Sequence, residues 1–329
     1  MILIQDQQNH DASFNLALEE YCLLNLPMDS SYLLFYVNAP SIIIGKHQNT
    51  VEEIDTDFVQ ERGIRVVRRI SGGGAVYHDL GNLNFSFIRP YRPEHFNNYR
   101  EFTAPVVAAL QELGVPAELT GRNDIVVDGR KVSGNAQARR RDRMFSHGTL
   151  LFRSNLEDVV RSLKPKPGKL ESKGIQSIRS RVVNIGDFLP GTTGMEEFKA
   201  ALVAHLFPGQ GGAAQYVLTA QDLAAVQALA DSKYRTWEWN YGSSPSFNLQ
   251  RVQRFPIGEV DARLLVEKGH VHSAKIYGDF FSDREIGDLE QALTGIRYEQ
   301  EELRKVLSAS RADEILDGVG VDDWVKLLY

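Results

Sequence analysis

The stretch Arg68-Arg69-Ile70-Ser71-Gly72-Gly73-Gly74-Ala75-Val76-Tyr77-His78-Asp79 constrains this chain more than any other. Three consecutive glycines strip the side chains from a piece of backbone flanked by two arginines and a serine hydroxyl. Such backbone can turn tightly, aim several N–H groups at one point and let an anion approach closely. Before it, Ile64-Arg65-Val66-Val67 has the β-branched content of a strand. After it, Leu83, Phe85 and Phe87 alternate with Asn82, Asn84 and Ser86, the period of another strand. The familiar phosphate loops lead from a strand into a helix, and neither GxxxxGK[ST] nor GxGxxG occurs here. The glycines therefore point to an anion site of a less common design, with a tight structural turn as the alternative.

At 329 residues the chain exceeds the size at which one core stops growing, so a large domain with a smaller companion is expected. Its apolar share of 43% and charged share of 24% are those of an ordinary globular protein. A net charge of −6 argues against a dedicated nucleic-acid binder. Cys22 is the only cysteine, which excludes an internal disulfide and suits a reducing compartment. A buried apolar place on the first helix is the expectation for it. Met1-Ile2-Leu3-Ile4-Gln5-Asp6 lacks the cationic start of a signal peptide, and runs such as Leu33-Leu34-Phe35-Tyr36-Val37 are too short to span a bilayer. A cytoplasmic protein without membrane contact is expected.

Helices and strands alternate along the first two-thirds. Residues 11–25 read as a helix with Phe14, Leu18, Tyr21 and Cys22 on one face. Residues 32–37 and 42–44 read as strands, 55–61 as a short helix, and 102–113 as a helix ended by Gly114. Ile125-Val126-Val127, Asp128-Gly129 and Arg130-Lys131-Val132 read as a hairpin turning at Asp-Gly. Residues 144–152 read as a strand, and Ser154-Asn155-Leu156-Glu157 as a capping box opening a helix to about Leu163. Lys164–Arg181 holds six basic residues, two prolines and two glycines, which fits a ligand-ordered loop or a solvated one equally. Helices are expected over 195–207 and 219–230. Trp237-Glu238-Trp239-Asn240-Tyr241-Gly242-Ser243-Ser244-Pro245 marks the domain boundary. Beyond it, strands over 247–255, 259–267 and 270–277 and then helices make a small α+β domain.

Candidate chemical groups cluster in three places. In the glycine segment, N–H groups of Gly74 to Tyr77 and the Arg69 guanidinium suit a phosphate or carboxylate, with Ser71 and His78 beside them. Around the hairpin, Asn123, Asp124 and Lys131 come to similar height at one end. A lysine there can bridge two anions and Asp124 can hold magnesium, while a solvated lysine and a turn aspartate are the plainer reading. In Phe145-Ser146-His147-Gly148-Thr149, His147 suits a substrate-orienting or a core role. No HExxH spacing, G-x-S-x-G elbow or cysteine–histidine pairing is present. The residues alone thus describe an anion-binding α/β protein with a basic loop.

Taken together the motifs resemble those of lipoate–protein ligases. The resemblance rests on Arg-Arg-x-Ser-Gly-Gly-Gly-Ala-Val-Tyr-His-Asp, Gly121-Arg122-Asn123-Asp124, Asp128-Gly129-Arg130-Lys131-Val132-Ser133-Gly134 and Ser146-His147-Gly148-Thr149-Leu150-Leu151, then on Glu171-Ser172-Lys173-Gly174-Ile175 and the tryptophan segment. It covers nearly the whole chain. Gly45-Lys46-His47-Gln48 follows the family's loop only approximately. The resemblance implies the mixed-sheet α/β (α+β) catalytic fold shared with biotin–protein ligases over 1–244 and a C-terminal accessory domain over 245–329. It also implies a two-step reaction in which lipoate and MgATP give lipoyl-AMP, and the lipoyl group then passes to an acceptor lysine. Acceptors would be lipoyl domains of 2-oxoacid dehydrogenase E2 subunits and the glycine-cleavage H protein. ATP and Mg2+ would be required, with no tightly bound prosthetic group, nucleic acid or membrane partner. By the same resemblance Arg69, Gly74, Ala75, Val76, Tyr77, Asn123 and Asp124 would serve the nucleotide. Ser71, Gly73, His78 and His147 would serve lipoate, and Lys131 would touch both and catalyse, with Asp124 the candidate metal contact.

That chemistry needs no general base in its first step, because a carboxylate is already ionised at neutral pH. It needs two anions brought together and charge stabilised at the α-phosphorus, which donors and cations supply. The basic loop would exclude water from the adenylate, and Leu16, Ile43, Ile44 and Val76 are candidates for an apolar tunnel. The runners-up are an octanoyl- or lipoyl-transferase working through a cysteine thioester without ATP, and a non-catalytic lipoate- or lipoyl-domain-binding relative. The transferase lacks its cysteine downstream of Lys131.

Overall fold

In a computed structural model of the chain, the structure describes residues 1–5, 7–163, 181–209, 212–241, 247–282 and 284–329. Residues 164–180 of the basic stretch and 242–246 at the expected boundary lie outside the described residues. The chain divides into two compact units, one of residues 1–44, 51–68 and 76–240, the other of 45–50, 69–75 and 241–329.

The first unit opens with β1 (Ile2–Ile4) and α1 (Ala12–Asn25), whose N-cap Asp11 accepts from Ser13 N–H. β2 (Tyr32–Val37) and β3 (Ser41–Ile44) follow, then short helices α2 (Thr50–Glu53) and α3 (Thr56–Glu61). Next come β4 (Arg65–Arg68), β5 (Val76–His78), β6 (Asn82–Pro90) and α4 (Tyr99–Glu112). β7 (Ala117–Thr120), β8 (Asp124–Val127), β9 (Arg130–Arg140) and β10 (Arg143–Leu151) complete the series, with β11 (Gln215–Tyr216) later in the chain. The glycines join two strands, as their setting predicts, but Val76 and Tyr77 already belong to β5. α5 (Leu156–Ser162) is capped by Asn155, whose side chain accepts from Glu157 and Asp158 N–H, and not by the expected Ser154. Ser154 N–H is instead taken by the Asn184 side-chain carbonyl.

Eight strands form one mixed sheet in the order β11-β1-β2-β6-β10-β9-β8-β7, and β4-β3-β5 form a small second sheet. Strand alternation gives the large sheet two different faces. Leu33, Phe35, Leu83, Phe85, Phe87, Met144 and Leu150 share one core with Phe102, Val106 and Leu110 of α4 and with Phe198 and Leu202 of the helix Met195–Leu206. The opposite face carries Tyr36 of β2 beside Asn84 of β6, and Ser86 beside His147 of β10. This second face mixes the two kinds of residue: Asn82, Asn84 and Ser86 are buried there together with Leu34, Ile88 and Phe145.

β4 is an edge strand, paired among the described residues only with β3. Its last residue finds its outer partners in side chains. Asn240 Oδ1 accepts from Arg68 N–H at 2.8 Å, and Trp239 Nε1 donates to Arg68 C=O at 2.8 Å. The Arg68 guanidinium returns bonds to the carbonyls of Trp239 and Asn240. Asn240 Nδ2 donates to Tyr234 C=O, which fixes the amide's orientation. The tryptophan segment expected at a boundary is here a short helix, Trp237–Asn240, whose side chains cover the end of this edge.

In the second unit, β12 (Leu249–Phe255), β13 (Gly258–Glu267) and β14 (His270–Gly278) form an antiparallel sheet. Helices Ile286–Leu293, Gln300–Ala309 and Val321–Leu328 supply Leu289, Leu303 and Trp324 to a core with Val260, Leu264 and Ile276.

Asn240→Ala removes both amide bonds from a buried position and leaves Arg68 N–H unanswered. The expected loss is about 2 kcal/mol, read from the urea unfolding midpoint; a loss within about 0.5 kcal/mol, the usual range of a surface substitution, would contradict this role of the amide at the edge.

Candidate active site

Lys131 owes its direction to the local sequence. Asp128 and Gly129, both at positive φ (49° and 71°), close the β8–β9 hairpin in the mirror-image turn that Asp-Gly favours. Past the turn the register is Lys131 with Val126, Ser133 with Ile125 and Gly134 with Asp124, so Val132 is an extra, bulged residue. The bulge lets Val132 enter the apolar core while Lys131, Gly134 and Asp124 share the polar face. Lys131 Nζ lies 2.8 Å from Asp124 Oδ1, with both side chains partly open to solvent. Lys131 N–H donates to Arg181 C=O, and Lys131 C=O accepts from Val183 N–H, which ties the lysine's main chain on its other side. Asn123 is close by in sequence but engaged elsewhere, exchanging bonds with Asn135.

Along the same face, Gly134 N–H donates to Thr149 Oγ1, and His147 stands opposite Ala136. His147 Nδ1 lies 2.9 and 3.0 Å from the two carboxylate oxygens of Glu19 on α1, and both residues are buried. A carboxylate only accepts, so Nδ1 carries the proton in this pair. Asn82 Oδ1 and Ser86 Oγ, both buried, make no hydrogen bond within the described protein. Sequence reasoning does not reach Glu19 or this polar row; Asn82, Asn84 and Ser86 on a central strand are the available signal. Of the tunnel candidates, Leu16, Ile43 and Ile44 are fully buried and Val76 partly so.

The glycine segment divides its labour. Gly73 sits at φ 92°, and a Cβ there would lie 3.0 Å from the Arg69 guanidinium and 3.1 Å from the Phe281 ring. A Cβ on Gly72 would lie 2.4 Å from Phe280 C=O, whereas one on Gly74 meets nothing within 4 Å. Gly72 and Gly73 thus permit close packing, and Gly74 alone of the three is exposed. Arg69 is buried and donates to Ser71 Oγ and to the carbonyls of Gly72 and Gly74. Gly73 N–H donates to Phe280 C=O at 3.4 Å. Tyr77 and His78 are buried on β5, with Asn38 Nδ2 3.0 Å from His78 Nδ1. Burial pushes the Tyr77 phenol well up, so it stays protonated.

Cys22 is fully buried on α1, and burial, aided by Glu19, pushes its thiol far above the usual range. Among the described residues no three His, Cys, Asp or Glu side chains come together as a metal site. Among them, too, no helix is long and apolar enough to cross a membrane.

Residues 11–207 match the family model of the lipoyl protein ligase A/B catalytic domain, and residues 244–328 match that of the bacterial lipoate protein ligase C-terminus. The chain belongs to the lipoate–protein ligase family. Among its relatives, lipoate-protein ligase LplJ of Bacillus subtilis is 50% identical over all of both chains. Lipoate–protein ligase 1 of Staphylococcus aureus is 49% identical over 94% of each. Of solved structures, a lipoate-protein ligase A bound with ATP is 30% identical with a TM-score of 0.64, covering 73% of this ligase and 98% of that chain. P. falciparum LipL1 in complex with lipoate has a TM-score of 0.80 over 99% of this ligase and 97% of that chain; at 23% identity it bears on the fold. The mixed-sheet α/β fold expected from the motifs is the one these ligases share.

The two kinds of glycine in this ligase separate by substitution. Gly73→Ala forces a left-handed residue against Phe281 and should cost about 1–2 kcal/mol, whereas Gly74→Ala should leave the unfolding midpoint unchanged. Equal midpoints for the two variants in thermal unfolding would refute the division.

Proposed function

We propose that this ligase joins lipoate to MgATP to form lipoyl-AMP and pyrophosphate, then passes the lipoyl group to a lysine of an acceptor domain. The observation that carries this reading is the Lys131 ammonium, held at Asp124 on the sheet face that also bears the buried His147–Glu19 pair. From the Gly134–Thr149 row to the His147 and Phe145 rows is two to four residues, about 7–14 Å at strand rise. An extended eight-carbon acyl chain with its carboxylate at Lys131 spans that distance. Ser71, Gly73 and His78 are the further lipoate contacts of this reading.

In the first step a lipoate carboxylate oxygen attacks the α-phosphorus and pyrophosphate leaves. Lys131 neutralises both anions as they meet and the charge that builds between them, a role of position and field rather than proton transfer. Asp124 keeps the ammonium in place until the substrates replace it. Arg69, Gly74, Ala75, Val76, Tyr77, Asn123 and Asp124 are assigned to the nucleotide, with Gly74 the most open of the glycine donors. Magnesium would screen the phosphate charge; with Asp124 the only assigned carboxylate, phosphate oxygens would supply most of its ligands. In the second step the acceptor amine attacks the adenylate carbonyl and AMP leaves. Acceptors of the E2 lipoyl-domain and H-protein class follow from the family; a bi-partite Thermoplasma acidophilum ligase at 30% identity was solved in a study of it and its E2 lipoyl domain. Residues 1–244 would carry the chemistry and 245–329 the accessory role, in the cytoplasm. A thioester route has no nucleophile, since the only cysteine is the buried Cys22.

Incubation with lipoate, MgATP and an E2 lipoyl domain should add one lipoyl mass to the acceptor, read by intact-mass spectrometry. Lys131→Ala should lower lipoate-dependent pyrophosphate exchange at least about a hundredfold, the scale for one lost charge-stabilising group. ATP-independent transfer from an acyl-carrier donor would overturn the proposal.

A further inference from the structure

We infer that Gly134 is a positioning residue for Lys131: its missing side chain is the space in which the lysine ammonium lies. The inference rests on the reading of Lys131 as the adenylation lysine and goes one residue beyond it. An ideal Cβ at position 134 would stand 3.0 Å from Lys131 Cε, 3.0 Å from Nζ and 4.0 Å from Asp124 Oδ1. Those are its nearest neighbours, and none is backbone. Gly134 is also absent from the glycines with positive φ, so no turn or left-handed conformation demands it. Glycine inside a strand weakens the strand, and it earns its place where something must approach closely. Here the close approach is the lysine's own terminal methylene and ammonium.

The bulge and the glycine act together. The extra residue Val132 turns Lys131 onto the face of Asp124 and Gly134, and the bare backbone at 134 lets the side chain lie down across β9. A lysine standing upright would leave Asp124 Oδ1, 2.8 Å away in this structure, and carry its charge away from the row of polar groups. Because a Cβ at 134 meets only the mobile end of a side chain, Gly134→Ala should spare the fold and displace the ammonium. Its effect should therefore pass entirely through Lys131.

A double-mutant cycle of Gly134→Ala and Lys131→Ala tests this on the full-length ligase. The readouts are the unfolding midpoint, lipoate-dependent pyrophosphate exchange, and calorimetric binding of a non-hydrolysable lipoyl-sulfamoyl adenosine. In the wild-type background Gly134→Ala should lower exchange at least about tenfold, or about 1.4 kcal/mol, with a midpoint equal to or above that of the wild type and weaker analogue binding. In the Lys131→Ala background it should change analogue binding less than twofold. A fall in midpoint, wild-type exchange in Gly134→Ala, or equal loss of binding in both backgrounds would overturn the inference while leaving the ligase reading intact. Wild-type exchange in Lys131→Ala would overturn the role of the lysine, and the role of Gly134 with it.

Discussion

A central sheet covered on both sides must account for every polar group it buries, and this constraint organises the catalytic unit. One face is filled with hydrocarbon from α4 and the helix Met195–Leu206. The other holds Asn82, Asn84, Ser86 and the His147–Glu19 pair away from bulk water. Buried polar atoms without partners are costly, of order 1–3 kcal/mol each, and a fold bears that cost where a ligand or ordered water answers them. In the proposed mechanism this is the ligand face, and strand order fixes what it displays. A single bulge at Val132 adds the cation to it.

The glycine segment has a second constraint of its own. Its arginine and one of its N–H groups are satisfied within the second unit, by Ser71, Gly72, Gly74 and Phe280. Backbone so tied is preorganised, and of the three glycines only Gly74 is exposed. Two of three glycines thus shape the segment and the third exposes it. The edge strand leading into it is held by Trp239 and Asn240, which gives the tryptophan segment a structural role.

Much of this was legible in the sequence because local rules decided it. Period-two alternation marked β6, Asp-Gly marked the β8–β9 turn, and the helices ended within a few residues of their capping signals. The Asp-Gly turn brings Lys131 and Asp124 to the same end of the hairpin, though the bulge at Val132 is what sets them on one face. What stayed hidden depends on neighbours remote in sequence. Glu19 meets His147 across 128 positions, and nothing local says that the polar half of β6 is buried. The bulge was invisible because Val132 reads equally well as an ordinary strand residue. Asn155 rather than Ser154 caps α5, and Ser154 N–H goes to Asn184, 30 positions on. The backbone bonds of Arg69 are hidden for a similar reason, since its carbonyl acceptors appear only once the segment is folded.

In the proposed mechanism the lipoate carboxylate is the nucleophile at the α-phosphorus, beside Lys131. The most direct test is to run full turnover with lipoate labelled by oxygen-18 in the carboxylate, then weigh the released products. Attack at the α-phosphorus followed by aminolysis must leave one labelled oxygen in AMP and none in pyrophosphate. Label in pyrophosphate or orthophosphate, or unlabelled AMP beside lipoylated acceptor, would contradict it.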